Sequence, residues 1–459
     1  MPRIILCCVA LLLSMTALPP GSTRAAGDVQ KPNVVILFAD DLGYGDLGCF
    51  GHPTIRTPNL DRMAAEGQKW TQFYAAASVC TPSRAGLMTG RLPIRSGMCG
   101  NRRVLFPDSI GGLPDEEITL AEALKTQGYA TACVGKWHLG HLPQYLPTSN
   151  GFDSYFGIPY SNDMRMWDDK AKMAPLMRNE EVIEVPADQT TLTRRYTAEA
   201  VEFIRTNKDR PFFLYMPHTF PHVPLYRSKE FTDTSLRGLY GDVVEELDWS
   251  VGRVLDTLRQ LKIDGRTMVV FTSDNGPWLI MKLNGGSAGL LREGKGCTYE
   301  GGMREPTIFW WPGRIPAGTV VADLGSTLDL FVTASKLAGA PVPDDRVPND
   351  RVIDGVDLSP ALFGTGKSPR TTMFFYRNLE LFAVRKGPYK AHFITQPAYG
   401  PGGKVAHDPP ELYHLEHDPS EQFNVADQHP DVVADLIREV QRHRETLQPV
   451  PSQLDLRPE

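Results

Sequence analysis

The 459-residue chain is short of several things, and each shortage removes a class of function. It has no basic excess: 48 Lys and Arg stand against 54 Asp and Glu, a formal charge of −6, which argues against nucleic acid as a partner. Any anionic ligand must then be drawn by a local cluster of cations. Cysteine is scarce, with seven in all, and Cys7 and Cys8 fall in an N-terminal leader. The remaining five (Cys49, Cys80, Cys99, Cys133 and Cys297) are an odd number, enough for one specialised cysteine and at most two pairs. There is no Asn-x-Ser/Thr sequon, which leans toward bacterial export. There is no internal repeat and no low-complexity tract.

Long apolar runs are also missing except at the start. Residues 1–26 read as a signal peptide: Arg3, an apolar run from Ile4 to Leu18, Pro-Pro-Gly, and small residues near Ala25. The run is short for a membrane span. The expectation is a secreted or periplasmic protein with no integral membrane segment once the leader is cleaved.

What is present is a set of buried-strand patterns ending in ionisable residues. Asn33–Ala39 is continuously apolar and runs into Asp40-Asp41; Tyr129–Val134 runs into Gly-Lys136-Trp-His138. Phe212–Met216 leads to His218 and His222, and Thr267–Phe271 to Asp274-Asn275. Open α/β sheets bind ligands at the carboxyl ends of their strands, so these residues are expected in one place. Asp40, Asp41, Asp274 and Asn275 offer only oxygens, a set suited to Ca²⁺, with Mg²⁺ second. Each stretch alone also reads as a solvated turn.

The stretch to which these residues answer is Ser78-Val-Cys80-Thr-Pro-Ser-Arg84-Ala-Gly-Leu-Met-Thr-Gly-Arg91. Thr81 is expected to cap a short helix, with Pro82 at its first position and Gly90 at its end, leaving Cys80 at the positive pole. A lone cysteine is ordinarily a small buried hydrophobe. Between the strands, Thr57-Pro58, 116–126, 193–207, 242–261 and 430–447 read as helices. The charged stretch up to about Gln189 reads as an insertion without periodicity. Beyond a Pro/Asp/Arg-rich boundary ending near Asp354, 372–376, 381–384, 389–395 and 412–415 alternate like antiparallel strands.

The Cys80-x-Pro-Ser-Arg84 pentad and its extension resemble the signature of type I, formylglycine-dependent sulfatases. The likeness extends to Ala39–Cys49, Gly135–Gly140, Gly157–Ser161, Gly364–Arg370 and the Lys390-Ala-His-Phe stretch. It implies an α/β, alkaline-phosphatase-like fold: a large mixed, mostly parallel sheet flanked by helices, and a smaller C-terminal part with an antiparallel sheet and a helix. The expected division is a signal peptide at 1–26, a catalytic domain at 27–354 and a C-terminal α+β domain at 355–459. By the same likeness Cys80 becomes formylglycine through a maturation enzyme. Asp40, Asp41, Asp274 and Asn275, with the modified Cys80, hold the metal. Arg84 and Lys136 stabilise the aldehyde hydrate, His138 assists, and Lys295, His222 and Ser161 meet the sulfate ester. His407 matches a substrate-side histidine loosely. The implied activity is hydrolysis of aryl, carbohydrate or glycolipid sulfates. The alternatives are a phosphonate monoester or phosphodiester hydrolase on the same fold, and an inactive sulfated-glycan-binding relative.

Overall fold

The computed structural model describes residues 31–164, 173–340, 352–399, 402–448 and 450–458. The expected leader, part of the 162–189 stretch and most of the Pro/Asp/Arg-rich boundary lie outside them. An eleven-stranded sheet dominates. Its strands are β1 (Asn33–Ala39), β2 (Gln68–Tyr74), β3 (Ala130–Val134), β4 (Ser154–Gly157), β5 (Leu176–Arg178) and β6 (Glu181–Glu184). They continue with β7 (Phe212–Pro217), β8 (Thr267–Ser273), β9 (Arg304–Trp310), β10 (Thr319–Val321) and β11 (Gly325–Ser326). The order is β10-β2-β9-β8-β1-β7-β3-β4-β5-β6, with β11 also on β2.

The four strands singled out from sequence are contiguous and parallel, as β8-β1-β7-β3. β1 is buried along its whole length because it has a core on each side. Val34, Ile36 and Phe38 enter one, Val35, Leu37 and Ala39 the other, the period of two that a strand imposes. The first core is closed by helices Cys80–Thr89 and Leu328–Ala338, the second by Pro58–Glu66, Leu192–Thr206 and Leu239–Gln260. Each large aliphatic chain so buried contributes about 1.5–3 kcal/mol.

A second sheet is the antiparallel meander β12 (Thr372–Arg377), β13 (Glu380–Lys386), β14 (Tyr389–Thr395) and β15 (Val405–His414). The helix Pro430–Glu445 packs on it through Val433, Leu436 and Val440. Two expectations need correction. The stretch before Gln189 is not featureless, since β5 and β6 extend the sheet by antiparallel pairing. The helix expected from 116 begins only at Leu120, where Thr119 and Glu122 form a reciprocal capping box. All five described cysteines are free thiols.

Candidate active site

The strand ends are drawn together by backbone bonds. His218 N–H donates to Phe38 O at 2.8 Å, Asp274 N–H to Ala39 O at 3.1 Å and Lys136 N–H to Pro217 O at 2.7 Å. The loop after β8 approaches the segment before β9 so closely that a Cβ on Gly276 would meet Gly301 O at 1.8 Å. Only glycine permits that approach.

Cys80 opens the helix Cys80–Thr89 and is 2% exposed. The cap is not Thr81, as expected, but extended Val79; Thr81 is inside the helix, where its Oγ1 accepts from Leu105 N–H at 3.1 Å. Pro82 is accordingly the third helical residue, and Gly90 ends the helix at φ 67° as expected. The shift puts Cys80 in the first turn, among the free N–H groups. Burial pushes its thiol up to about 11 against the pull of Lys136 and Lys295, so the unmodified side chain is a poor nucleophile.

Arg84, one turn on and fully buried, lays its Nε and Nη2 on Asp274 Oδ2 at 3.1 and 2.8 Å and donates Nη1 to Lys136 O at 2.6 Å. Lys136 Nζ reaches Asp40 Oδ2 at 2.5 Å and Ser161 Oγ at 3.1 Å. Lys295 Nζ donates to Asp41 Oδ2 at 2.8 Å. Asn275 Nδ2 donates to Asp41 Oδ1 at 2.7 Å, and Asp41 N–H to Asp274 Oδ1 at 3.1 Å. His222 Nε2 lies 3.6 Å from Asp41 Oδ2. One ligand atom each of Asp40, Asp41, Cys80 and His222 fall within 4.8 Å of one another.

Both histidines of the cluster have legible tautomers. His222 Nδ1 faces Asn162 Oδ1 at 3.1 Å and Val223 O at 2.5 Å, two acceptors, so the proton belongs there and Nε2 is bare. His138 Nε2 faces Leu105 O at 2.8 Å, leaving Nδ1 bare, buried and without a partner among the described residues. Burial, then Lys295, pushes His222 down to about 4; burial, then Lys136, holds His138 well below the usual range. Both are neutral near pH 7.

The carboxylates fit a hard cation. Burial raises Asp40, yet Lys136, His222, Arg84 and Lys295 together hold it well below its ordinary value. Burial and the adjoining Asp40 push Asp274 up to about 7 against Arg84. Acids this crowded ionise together only where further positive charge is supplied. Asp40 Oδ1 and Asn275 Oδ1 are buried with no hydrogen-bond partner among the described residues, the condition a metal ion relieves. The donors are all hard oxygens apart from Cys80 and His222.

Cys80, His138, Ser161, His222 and Lys295 open into a cavity of about 260 Å³. Its outer wall includes Arg102, Arg103, Phe106, Asp163, Met164, Trp278 and Tyr399, none of which the sequence singled out as site residues. Trp278 follows Asp274-Asn-Gly-Pro directly, and its place was the one available signal; Tyr399 arrives from beyond β14 and gave none. His218 is outside this lining, buried with both ring nitrogens unpartnered among the described residues. His407 accepts or donates at Thr395 Oγ1 in the second sheet and is outside this lining.

A mixed sheet with a cationic, carboxylate-backed cavity at the carboxyl ends of its central strands defines an alkaline-phosphatase-like hydrolase. The particular family follows from comparison. Residues 32–340 match the Sulfatase family model and 368–458 that of the C-terminal region of aryl-sulfatase, and the chain belongs to the sulfatase family. Human arylsulfatase A is 45% identical over 93% of this chain and 89% of its own length. The N-acetylgalactosamine-6-sulfatase of Canis lupus familiaris is 44% identical over 97% and 91%. The crystal structure of PsFucS1 sulfatase from Pseudoalteromonas sp. superposes with a TM-score of 0.83 at 29% identity, covering 91% of this chain and 90% of that one.

Proposed function

We propose that this chain is an exported sulfatase that cleaves sulfate monoesters with Cys80, converted to formylglycine by a maturation enzyme, as nucleophile. The observation that carries the reading is Cys80 on the first turn of its helix, sharing one small cavity with Lys295, His138, Ser161 and His222 and backed by Asp40, Asp41 and Lys136. The hydrated aldehyde would supply two hydroxyls on one carbon, one to attack sulfur and one whose deprotonation releases the sulfate. A Ca²⁺ or Mg²⁺ held by Asp40, Asp41, Asp274 and Asn275 would supply Lewis acidity at the attacking oxygen.

The chain's own groups divide the remaining work. Lys295 places ammonium charge against the sulfate oxygens, while Lys136, held by Asp40 and steadied by Ser161 Oγ, backs the aldehyde hydrate. His138 Nδ1, bare and neutral, accepts a proton. His222 Nε2 serves the leaving oxygen: the negative charge of a bound sulfate raises its pKa, so that it takes up the proton it then hands on. Arg84 fixes Asp274 from behind. Once all three carboxylates (Asp40, Asp41, Asp274) are ionised, they balance the three cations (Arg84, Lys136, Lys295). A divalent ion is then neutralised by one singly charged sulfate ester and one ionised hydroxyl, whereas a doubly charged phosphate monoester leaves excess negative charge.

That balance does not separate sulfate esters from singly charged phosphodiesters, so the test compares them. Protein produced with the maturation enzyme should hydrolyse nitrophenyl sulfate with a higher kcat/KM than nitrophenyl phosphodiesters or phosphonates. A higher value on the diester would make the diesterase reading the better one, and no turnover of either would favour the inactive glycan-binding relative.

A further inference from the structure

The cations inside the site each answer to an acid, but one at its mouth does not. Arg102 is closed off by Asp108, with Nη1 and Nη2 at 2.8 and 3.2 Å from the two carboxylate oxygens. Arg103 has no carboxylate within 4.0 Å among the described residues; it donates Nη2 to Gly296 O at 2.9 Å, beside Lys295. Its backbone is held at φ 65°, a conformation uncommon for a side chain of this size. Arg377 approaches from the other side, across a small hollow both line, and its donors go to the carbonyls of Gln396 and Pro397. Neither guanidinium has a carboxylate within 4.0 Å among the described residues, although Glu293 acts on Arg377 from farther off and Asp163 lines the same cavity as Arg103.

Between this rim and the reacting cluster runs a line of aromatic rings. Lys295 Nζ sits 4.5 Å over the Trp278 ring; Trp278 and Tyr399 are 5.8 Å apart at 37°; the Arg103 guanidinium is 5.7 Å from Tyr399. Trp278 and Tyr399 are half-buried, so each offers a face to the cavity. A cavity of about 260 Å³ holds roughly a single ring. Aromatic faces with polar groups around them suit a sugar, whose C–H bonds lie on the rings while its substituents reach outward.

Resting on the sulfatase reading, we propose that the pocket selects a sugar ring carrying a second anion besides the ester it cleaves. The ring lies against Trp278 and Tyr399, and the second anion, a sulfate or a carboxylate, pairs with Arg103.

The test uses the mature, aldehyde-bearing protein and three substrates: an aminosugar monosulfate, the same ring with a second sulfate, and a disaccharide joining the monosulfated ring to a uronate. The wild type should prefer one or both doubly charged substrates at least about tenfold in kcat/KM, and which one identifies the anion. Arg103→Gln should lower that preference by about 10- to 100-fold, the scale of a charged hydrogen bond, and Arg103→Lys should retain part of it. Equal turnover of all three by the wild type, or a preference untouched by Arg103→Gln, overturns the proposal. Turnover of nitrophenyl sulfate with none of the sugars overturns it alone; turnover of neither sinks the sulfatase reading with it. Should the variants fail to fold, product inhibition of the wild type decides: the desulfated product that keeps one anion should inhibit at least about tenfold more tightly than the neutral sugar, and equal inhibition contradicts the assignment.

Discussion

Asp274 shows how much a single side chain of this site carries. It is the direct partner of a fully buried guanidinium and accepts Asp41 N–H, so it sets both the charge balance and the backbone of the aspartate pair. Asp274→Asn, which keeps the shape, should cut turnover at least about a hundredfold; Asp274→Ala should in addition lower stability by about 3–5 kcal/mol, because Arg84 is left buried with Asp40 at 3.6 Å as its remaining acid. Steady-state kinetics and thermal unfolding of both variants check this. His218 provides a pH signature away from the cluster. Burial holds it down at about 3, against 6.5 in an open chain, so the unfolded state binds the extra proton. Its contribution is complete above pH 6.5 and is lost as pH falls toward 3, about 3 kcal/mol by pH 4. In His218→Gln that loss disappears, and the gap in melting temperature between variant and wild type should narrow steadily from pH 7 to pH 4.

At the scale of elements, much of the site was legible because it sits where buried strands stop. β1, β3, β7 and β8 announce themselves as apolar runs, and each ends in the residues that converge. What the sequence concealed has physical reasons. Thr81-Pro82 mimics a helix start, but the chain places Thr81 Oγ1 on the Leu105 backbone and begins the helix earlier. β5 and β6 are too short to show a period and owe their strand form to pairing, β5 with β4 and β6 with β5. Trp278, Tyr399 and Arg103 come from three separate segments and meet through tertiary packing alone. The loop contact at Gly276 belongs to this scale as well. Gly276→Ala must push the 274–276 turn from the 301–302 backbone and so shift Asn275 and the segment carrying Lys295. The expected result is a fall in kcat of at least about tenfold with the protein still folded by circular dichroism.

Across the whole molecule the two sheets are joined by buried charge. Lys390 of β14 bonds Glu300 at 2.9 Å and Glu421 at 3.1 Å, while Glu421 accepts Glu300 N–H at 2.7 Å. The segment between Lys295 and β9 is thereby pinned to the second sheet, which also brings Tyr399 to the cavity. A bound divalent ion should stabilise this assembly by linkage, so chelation should lower the melting temperature and abolish turnover together, and Ca²⁺ should restore both. The central claim is that oxidised Cys80 is the nucleophile, and one measurement addresses it directly. Protein from hosts with graded levels of the maturation enzyme is assayed on nitrophenyl sulfate, while mass spectrometry gives the fraction of aldehyde at position 80. Turnover should rise in proportion to that fraction and extrapolate to zero at none; full turnover from protein whose Cys80 remains a thiol would contradict the account.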